Sequence, residues 1–109
     1  MLRSMSTDDA HPSMRMLWLR LPALSVQARR KEFLEVLQNE RQNLSHPESF
    51  VLFMRILLEE LGYDPLYLAP YLGVGVPTLY RYAEGKTVPY VRVRSTILNA
   101  YTEYIRDNQ

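Results

Sequence analysis

Apolar residues recur at three- and four-residue steps along most of this chain, and the rhythm stops where Gly, Pro or Asp appear. From Ser25 to about Asn43, Val26, Arg30, Phe33, Val36 and Leu37 keep such steps, continued by Leu44. That spacing predicts an amphipathic helix whose other face, carrying Arg29, Lys31, Glu35 and Gln38, suits water. "LSHPES" breaks the pattern and restarts it: Ser45 and Glu48 have capping-box spacing, and Pro47 is tolerated in a first turn. "FVLFMRILLEELG" is apolar on most sides, which predicts a largely buried helix ended by Gly62.

In "YDPLYLAPYLG", Asp64 is a good N-cap and Pro65 a good first helical residue, with Leu66, Leu68, Ala69 and Leu72 facing inward. Pro70 is discordant. An interior proline removes a hydrogen bond and clashes with the preceding turn, at about 3 kcal/mol, so this helix is expected to be short, kinked or displaced there. Gly73 closes it. A second short helix is expected from Val76 to Gly85, with Gly75 as cap, Pro77 in the first turn, and Leu79 and Tyr82 inward. After the loop "KTVP", Tyr90 to about Arg106 form a last helix with Val93, Ile97, Ala100, Tyr101 and Tyr104 on one side. No strand alternation persists. The chain is expected to be an all-α bundle of about five helices. Residues 1–14 are polar and unpatterned, and "MRMLWLRLPAL" is a short helix or strand that Pro22 ends. Together, 1–24 predict a mobile or partly ordered N-terminal arm before a single helical domain over 25–109.

Composition narrows the class. At 109 residues the chain fits one thin core, and 47 % hydrophobic content excludes a wholly disordered protein. The absence of cysteine removes disulfides, thiolate catalysis and sulfur-ligated zinc. No run approaches the length of a bilayer span, and the N-terminus has no clean signal peptide, so a cytoplasmic location without membrane contact is expected. Net charge is only +1, yet Arg81, Lys86, Arg92 and Arg94 cluster between Tyr80 and Arg94 against the single acid Glu84. That patch suits phosphates. The Arg29-Arg30-Lys31 cluster is followed by Glu32 and Glu35 and reads as a solvated helix face.

The segment "LAPYLGVGVPTLYRYAEGKTVP" resembles the helix-turn-helix of the XRE family, the Cro and phage-repressor type, with Leu68, Ala69, Leu72, Gly73, Val74, Thr78, Leu79, Arg81, Tyr82, Gly85, Lys86 and Pro89 in register. The resemblance covers about residues 50–100 and implies a lambda-repressor-like fold with the helix-turn-helix at about 64–85. It implies a transcriptional regulator that binds double-stranded DNA as a homodimer, its two recognition helices about 34 Å apart in successive major grooves. By position, it puts Val76, Pro77, Thr78, Tyr80 and Arg81 at base edges, and Gly75, Lys86, Thr87, Arg92 and Arg94 at phosphates. Arg81 would be the best reader, since a guanidinium can grip guanine O6 and N7 together. Two positions depart from the family pattern: Pro65 replaces a phosphate-gripping polar residue, and Pro70 replaces a helix-favouring one. "GVPTLYRYAEGK" is also similar, more weakly, to the TetR motif. Only 23 residues follow Lys86, however, too few for that family's ligand domain.

Catalysis finds little support. His11 lies in the expected arm and His46 in a helix-start loop, while Glu59 and Glu60 point about 100° apart on a helix. No phosphate-cradling Gly loop and no metal-ligand spacing appears, so neither an enzyme nor a cofactor is expected. The rival to DNA binding is a protein-interaction module, antitoxin-like for example, that keeps the helix-turn-helix scaffold. Low net charge and the two prolines favour it. The eight tyrosines, all between Tyr63 and Tyr104, would divide between the two uses: Tyr80 facing DNA, Tyr101 and Tyr104 packing or dimerising.

Overall fold

Glycine sets the breaks in the C-terminal two thirds of the chain, as the computed structural model makes plain. It describes residues 12–39 and 46–107. Gly73 and Gly85 both have left-handed backbone, with φ of 79° and 73°, a conformation that costs residues bearing a Cβ about 1–2 kcal/mol. Each closes its helix in the same way. The Gly73 and Val74 N–H groups donate to the Pro70 and Ala69 carbonyls, and those of Gly85 and Lys86 to the Tyr82 and Arg81 carbonyls. This is the Schellman arrangement, which satisfies carbonyls that a helix end otherwise leaves open.

Six α-helices result among the described residues: α1 (Pro12–Arg20), α2 (Val26–Asn39), α3 (Pro47–Glu59), α4 (Pro65–Leu72), α5 (Val76–Glu84) and α6 (Val91–Asp107). A single 3₁₀ turn, Leu21–Ala23, separates α1 from α2. The described residues contain no strand, and the fold is a small all-α bundle. None of these helices is long and apolar enough to cross a membrane.

The bundle is built around α3, whose residues Ser49 through Leu57 are all buried. That is the outcome expected for a helix apolar all round. Phe33 of α2 stacks on Phe53 of α3 with centroids 5.3 Å apart, and Tyr101 of α6 meets both rings edge-on. On the other flank, Phe50 meets Tyr82 of α5 edge-on at 5.8 Å.

The expected arm over 1–24 is corrected for its described part. Residues 12–23 are helical, and Met14, Leu17 and Leu21 are fully buried in the common core. Their three- and four-residue spacing makes one apolar stripe, and burying each such side chain is worth about 1.5–3 kcal/mol. The Arg20 guanidinium also donates to Glu32 Oε1 of α2 at 2.7 Å. The helical domain therefore includes residues 12–24; residues 1–11 lie outside the described ones.

A second correction concerns Arg29 and Arg30, expected on a solvated face. Lys31 is exposed, but Arg29 donates to the Leu24, Pro22 and Glu60 carbonyls and Arg30 to the Leu61 carbonyl. The Glu60 and Leu61 carbonyls lie at the end of α3, where helix geometry leaves acceptors open. Two arginines of α2 thus hold the end of α3. At the start of α3, Glu48 bonds His46 Nδ1 at 2.6 Å and the N-cap is His46 without a side-chain cap. The Ser45 half of the expected capping box lies outside the described residues.

Helix α4 begins as its sequence indicates, with Asp64 Oδ1 accepting from the Leu66 N–H at 2.9 Å. It then runs unbroken through Pro70. The carbonyl deprived of its partner is that of Leu66, four residues back, and Leu66 and Pro70 both lie on the exposed side. Water can serve that carbonyl, which keeps the cost tolerable. Leu66 is therefore outward, not inward as its spacing suggested, and is 71 % exposed.

Candidate nucleic-acid interface

Two short helices joined by residues 73–75 form a helix-turn-helix in the geometric sense. Leu68, Ala69 and Leu72 of α4 and Leu79, Tyr82 and Ala83 of α5 are buried and fill the wedge between them and α3. The opposite stripe of α5 is open: Pro77, Tyr80, Arg81 and Glu84 recur at three- and four-residue steps and are all exposed. Among the described residues, nothing bonds or ion-pairs with the Arg81 side chain. Its guanidinium faces solvent unscreened by a carboxylate partner.

The start of α5 is also open. Gly75 is an N-cap with no side-chain cap, Pro77 brings no N–H, and the first intrahelical bond runs from the Leu79 N–H to the Gly75 carbonyl. The Val76 and Thr78 amides thus have no helical acceptor.

The candidate base-contact residues divide. Pro77, Tyr80 and Arg81 share the outer stripe, whereas Val76 and Thr78 are half-buried and Val76 packs against the core. The candidate phosphate residues divide too. Gly75, Lys86, Thr87 and Arg92 are exposed, though Lys86 Nζ lies 3.4 Å from Glu84 Oε1. Both members of that pair are more than half exposed, so it is weak and easily exchanged for a phosphate. Arg94 is engaged: it is half-buried and donates to the Pro89 carbonyl, fastening the loop between α5 and α6. Its use as a free phosphate clamp is not what this geometry provides.

Two contributors escaped the sequence reading. Tyr90 stands 86 % exposed in the stretch between Thr87 and Arg92. Arg55, inside the apolar run of α3, is only 9 % exposed and sends Nε and Nη2 to the Ala83 carbonyl at 3.1 and 2.9 Å. Its guanidinium carbon also lies 5.7 Å from the Trp18 ring centroid. The Schellman bonds at Gly85 leave the Ala83 carbonyl without an intrahelical donor, and Arg55 supplies one. A cation at a helix C-terminus also opposes the negative end of the helix dipole. The only sequence signal was a lone arginine among nine buried positions, where an unpaired charge could not stay.

Among the described residues no group of three or more His, Asp or Glu side chains is placed to hold a metal ion. The chain matches no protein-family model, no curated protein and no solved structure.

Proposed function

We propose that the protein is a DNA-binding transcriptional regulator of helix-turn-helix type, docking on duplex DNA as a homodimer through the outer face of α5. The XRE-like pattern of the sequence belongs to this proposal. One observation carries it: Pro77, Tyr80 and Arg81 stand open on a helix whose inner face is locked by Leu79, Tyr82 and Ala83. A helix held so rigidly can enter a major groove without reorganising. In this reading Arg81 grips a guanine edge, worth about 1–3 kcal/mol of discrimination. Lys86, Thr87, Arg92 and the open amides of Val76 and Thr78 hold phosphates and set the register. With few cations per protomer, affinity would be modest and fall steeply with salt.

A protein-interaction module is the second reading, favoured by α4. Leu66 and Tyr67 are 71 % and 77 % exposed, Pro70 is exposed beside them, and α4 carries no cation. A helix that should lie along a phosphate backbone here presents apolar surface instead.

Selection of bound duplexes from a random pool at two salt concentrations separates the readings. Enrichment of an inverted repeat, lost in Arg81→Ala while weak binding to random duplex remains, supports the regulator. No enrichment at either salt, or equal loss of both kinds of binding, rejects base readout by Arg81.

A further inference from the structure

A cleft of about 710 Å³ opens between α2 and α6, roofed at one end by Tyr63 from the loop before α4. None of its lining residues belongs to α4 or α5, so it is separate from the interface described above. Its volume lies within the usual range for small-molecule sites, about 300–1,000 Å³.

The walls differ in chemistry. Leu34 and Ile105 supply apolar surface, and Tyr63 and Tyr104 stand edge-to-face with centroids 5.6 Å apart. Facing them, Gln27, Arg30 and Lys31 line one stripe of α2 with Leu34, at helix spacings of three, four and seven. Among the described residues, no carboxylate lines the cleft.

Arg30 is fixed in place. Its Nε donates to the Leu61 carbonyl at 2.8 Å, and its guanidinium carbon sits 4.2 Å from the Tyr63 ring centroid. The other guanidinium nitrogens have no acceptor among the described residues. A planar fork held this way has lost its rotamer freedom before any ligand arrives, and it matches the two oxygens of a carboxylate. Lys31 adds a second, exposed cation on the same stripe and likewise lacks a partner among the described residues.

We propose that this cleft binds a small aromatic carboxylate. Arg30 receives the carboxylate with help from Lys31 and Gln27, and the flat ring lies against Tyr63, Tyr104 and the Leu34–Ile105 surface. Charge and shape both select: a cationic ligand meets two cations, and a small anion without a ring leaves the aromatic wall in water. The site stands whether or not α5 binds DNA.

The test is titration of the full chain, followed by amide and tyrosine ring resonances, with 2-naphthoate as probe. 2-Naphthalenemethanol, 2-naphthylmethylamine and acetate serve as comparisons. The expected result is saturation by 2-naphthoate with a Kd of about 1 mM or tighter, the scale set by its number of heavy atoms, with shifts centred on Arg30, Lys31, Tyr63 and Tyr104. Each comparison compound should bind about tenfold more weakly or worse. Lys31→Glu, a change at an exposed position, should weaken 2-naphthoate roughly fivefold, the scale of one solvent-exposed ion pair, and leave the alcohol unaffected. Absence of saturation at 10-fold higher probe concentration, equal affinity for the alcohol or amine, or shifts centred elsewhere would overturn the assignment.

Discussion

Replacing Arg55 with methionine tests how α5 is held. Methionine keeps most of the aliphatic stem's volume and removes the two bonds to the Ala83 carbonyl at 3.1 and 2.9 Å. Those bonds converge on one acceptor, so they count as a single charge-assisted interaction of about 1.5–3 kcal/mol. Losing the cation at the helix C-terminus removes about 0.3–1 kcal/mol more, and the Ala83 carbonyl is left buried without its donor. Relief from desolvating the guanidinium offsets part of this. The net expectation is a loss of about 2–3 kcal/mol, or roughly 8–12 °C in Tm for a domain of this size. Urea unfolding followed by helical circular dichroism measures it, with Arg55→Lys expected to recover about half. Because the bond is local to the end of α5, amide exchange should accelerate at Tyr82 through Lys86 more than at the start of α3. If Arg55→Met unfolds within about 0.5 kcal/mol of the parent, the arginine is not what fastens α5 to the core.

Two further outcomes follow from particular side chains. Pro70→Ala restores the donor to the Leu66 carbonyl and removes the ring clash; against the roughly 3 kcal/mol cost of an interior proline stands about 0.4–1 kcal/mol of lost chain stiffening in the unfolded state. Its exposed setting softens the strain, so a gain of about 1–2 kcal/mol is expected in urea unfolding, and destabilisation would mean that the ring makes contacts worth more than the hydrogen bond. Alkaline pH bears on Tyr101 and Tyr63, whose hydroxyls lie 3.1 Å apart. Burial pushes both phenols above their ordinary value of 10.0. The neutral forms are thus favoured in the fold, and the unfolded chain releases these protons first. Stability should be level from pH 7 to 9 and fall above about pH 10, with a limiting slope near 1.4 kcal/mol per pH unit for each proton. Tyr101→Phe should flatten that decline; an unchanged slope would exclude Tyr101 as its source.

Much of the fold was legible because its punctuation is local. Asp64, Gly73 and Gly85 act on backbone within a few residues, so their effects are written in the sequence beside them. The all-round apolar run from Phe50 likewise announced a central helix. What escaped depends on partners distant in sequence. Met14, Leu17 and Leu21 form a stripe too short to distinguish from an apolar arm until α2 and α3 are present to cover it. Arg30 looked solvated because its acceptor, the Leu61 carbonyl, is 31 residues away; Arg29 reaches the Glu60 carbonyl at the same separation and the nearer Leu24 and Pro22 carbonyls only because the chain turns back between α1 and α2. Arg55 finds its acceptor 28 residues on. Leu66 went the other way: its spacing fits the inner stripe, but Pro70 and the tight turn at Gly73 set the face that α4 presents.

The candidate interface was legible in the same uneven manner. Periodicity alone placed Leu79 and Tyr82 inside, which leaves Arg81 and Tyr80 outside. Rank order along the outer face was not available from spacing, since Val76 and Thr78 sit where the helix meets the body. Arg94 belonged to the basic cluster by sequence, yet the Pro89 carbonyl holds it.

Whether the outer face of α5 meets DNA, as proposed, is decided by mapping a generic duplex onto the isotopically labelled protein at low salt. Amide perturbations are expected at Gly75, Val76, Thr78, Tyr80, Arg81, Lys86, Thr87 and Arg92, fading as salt rises. Perturbations confined to α4 around Leu66 and Tyr67, or none at millimolar duplex, would contradict it.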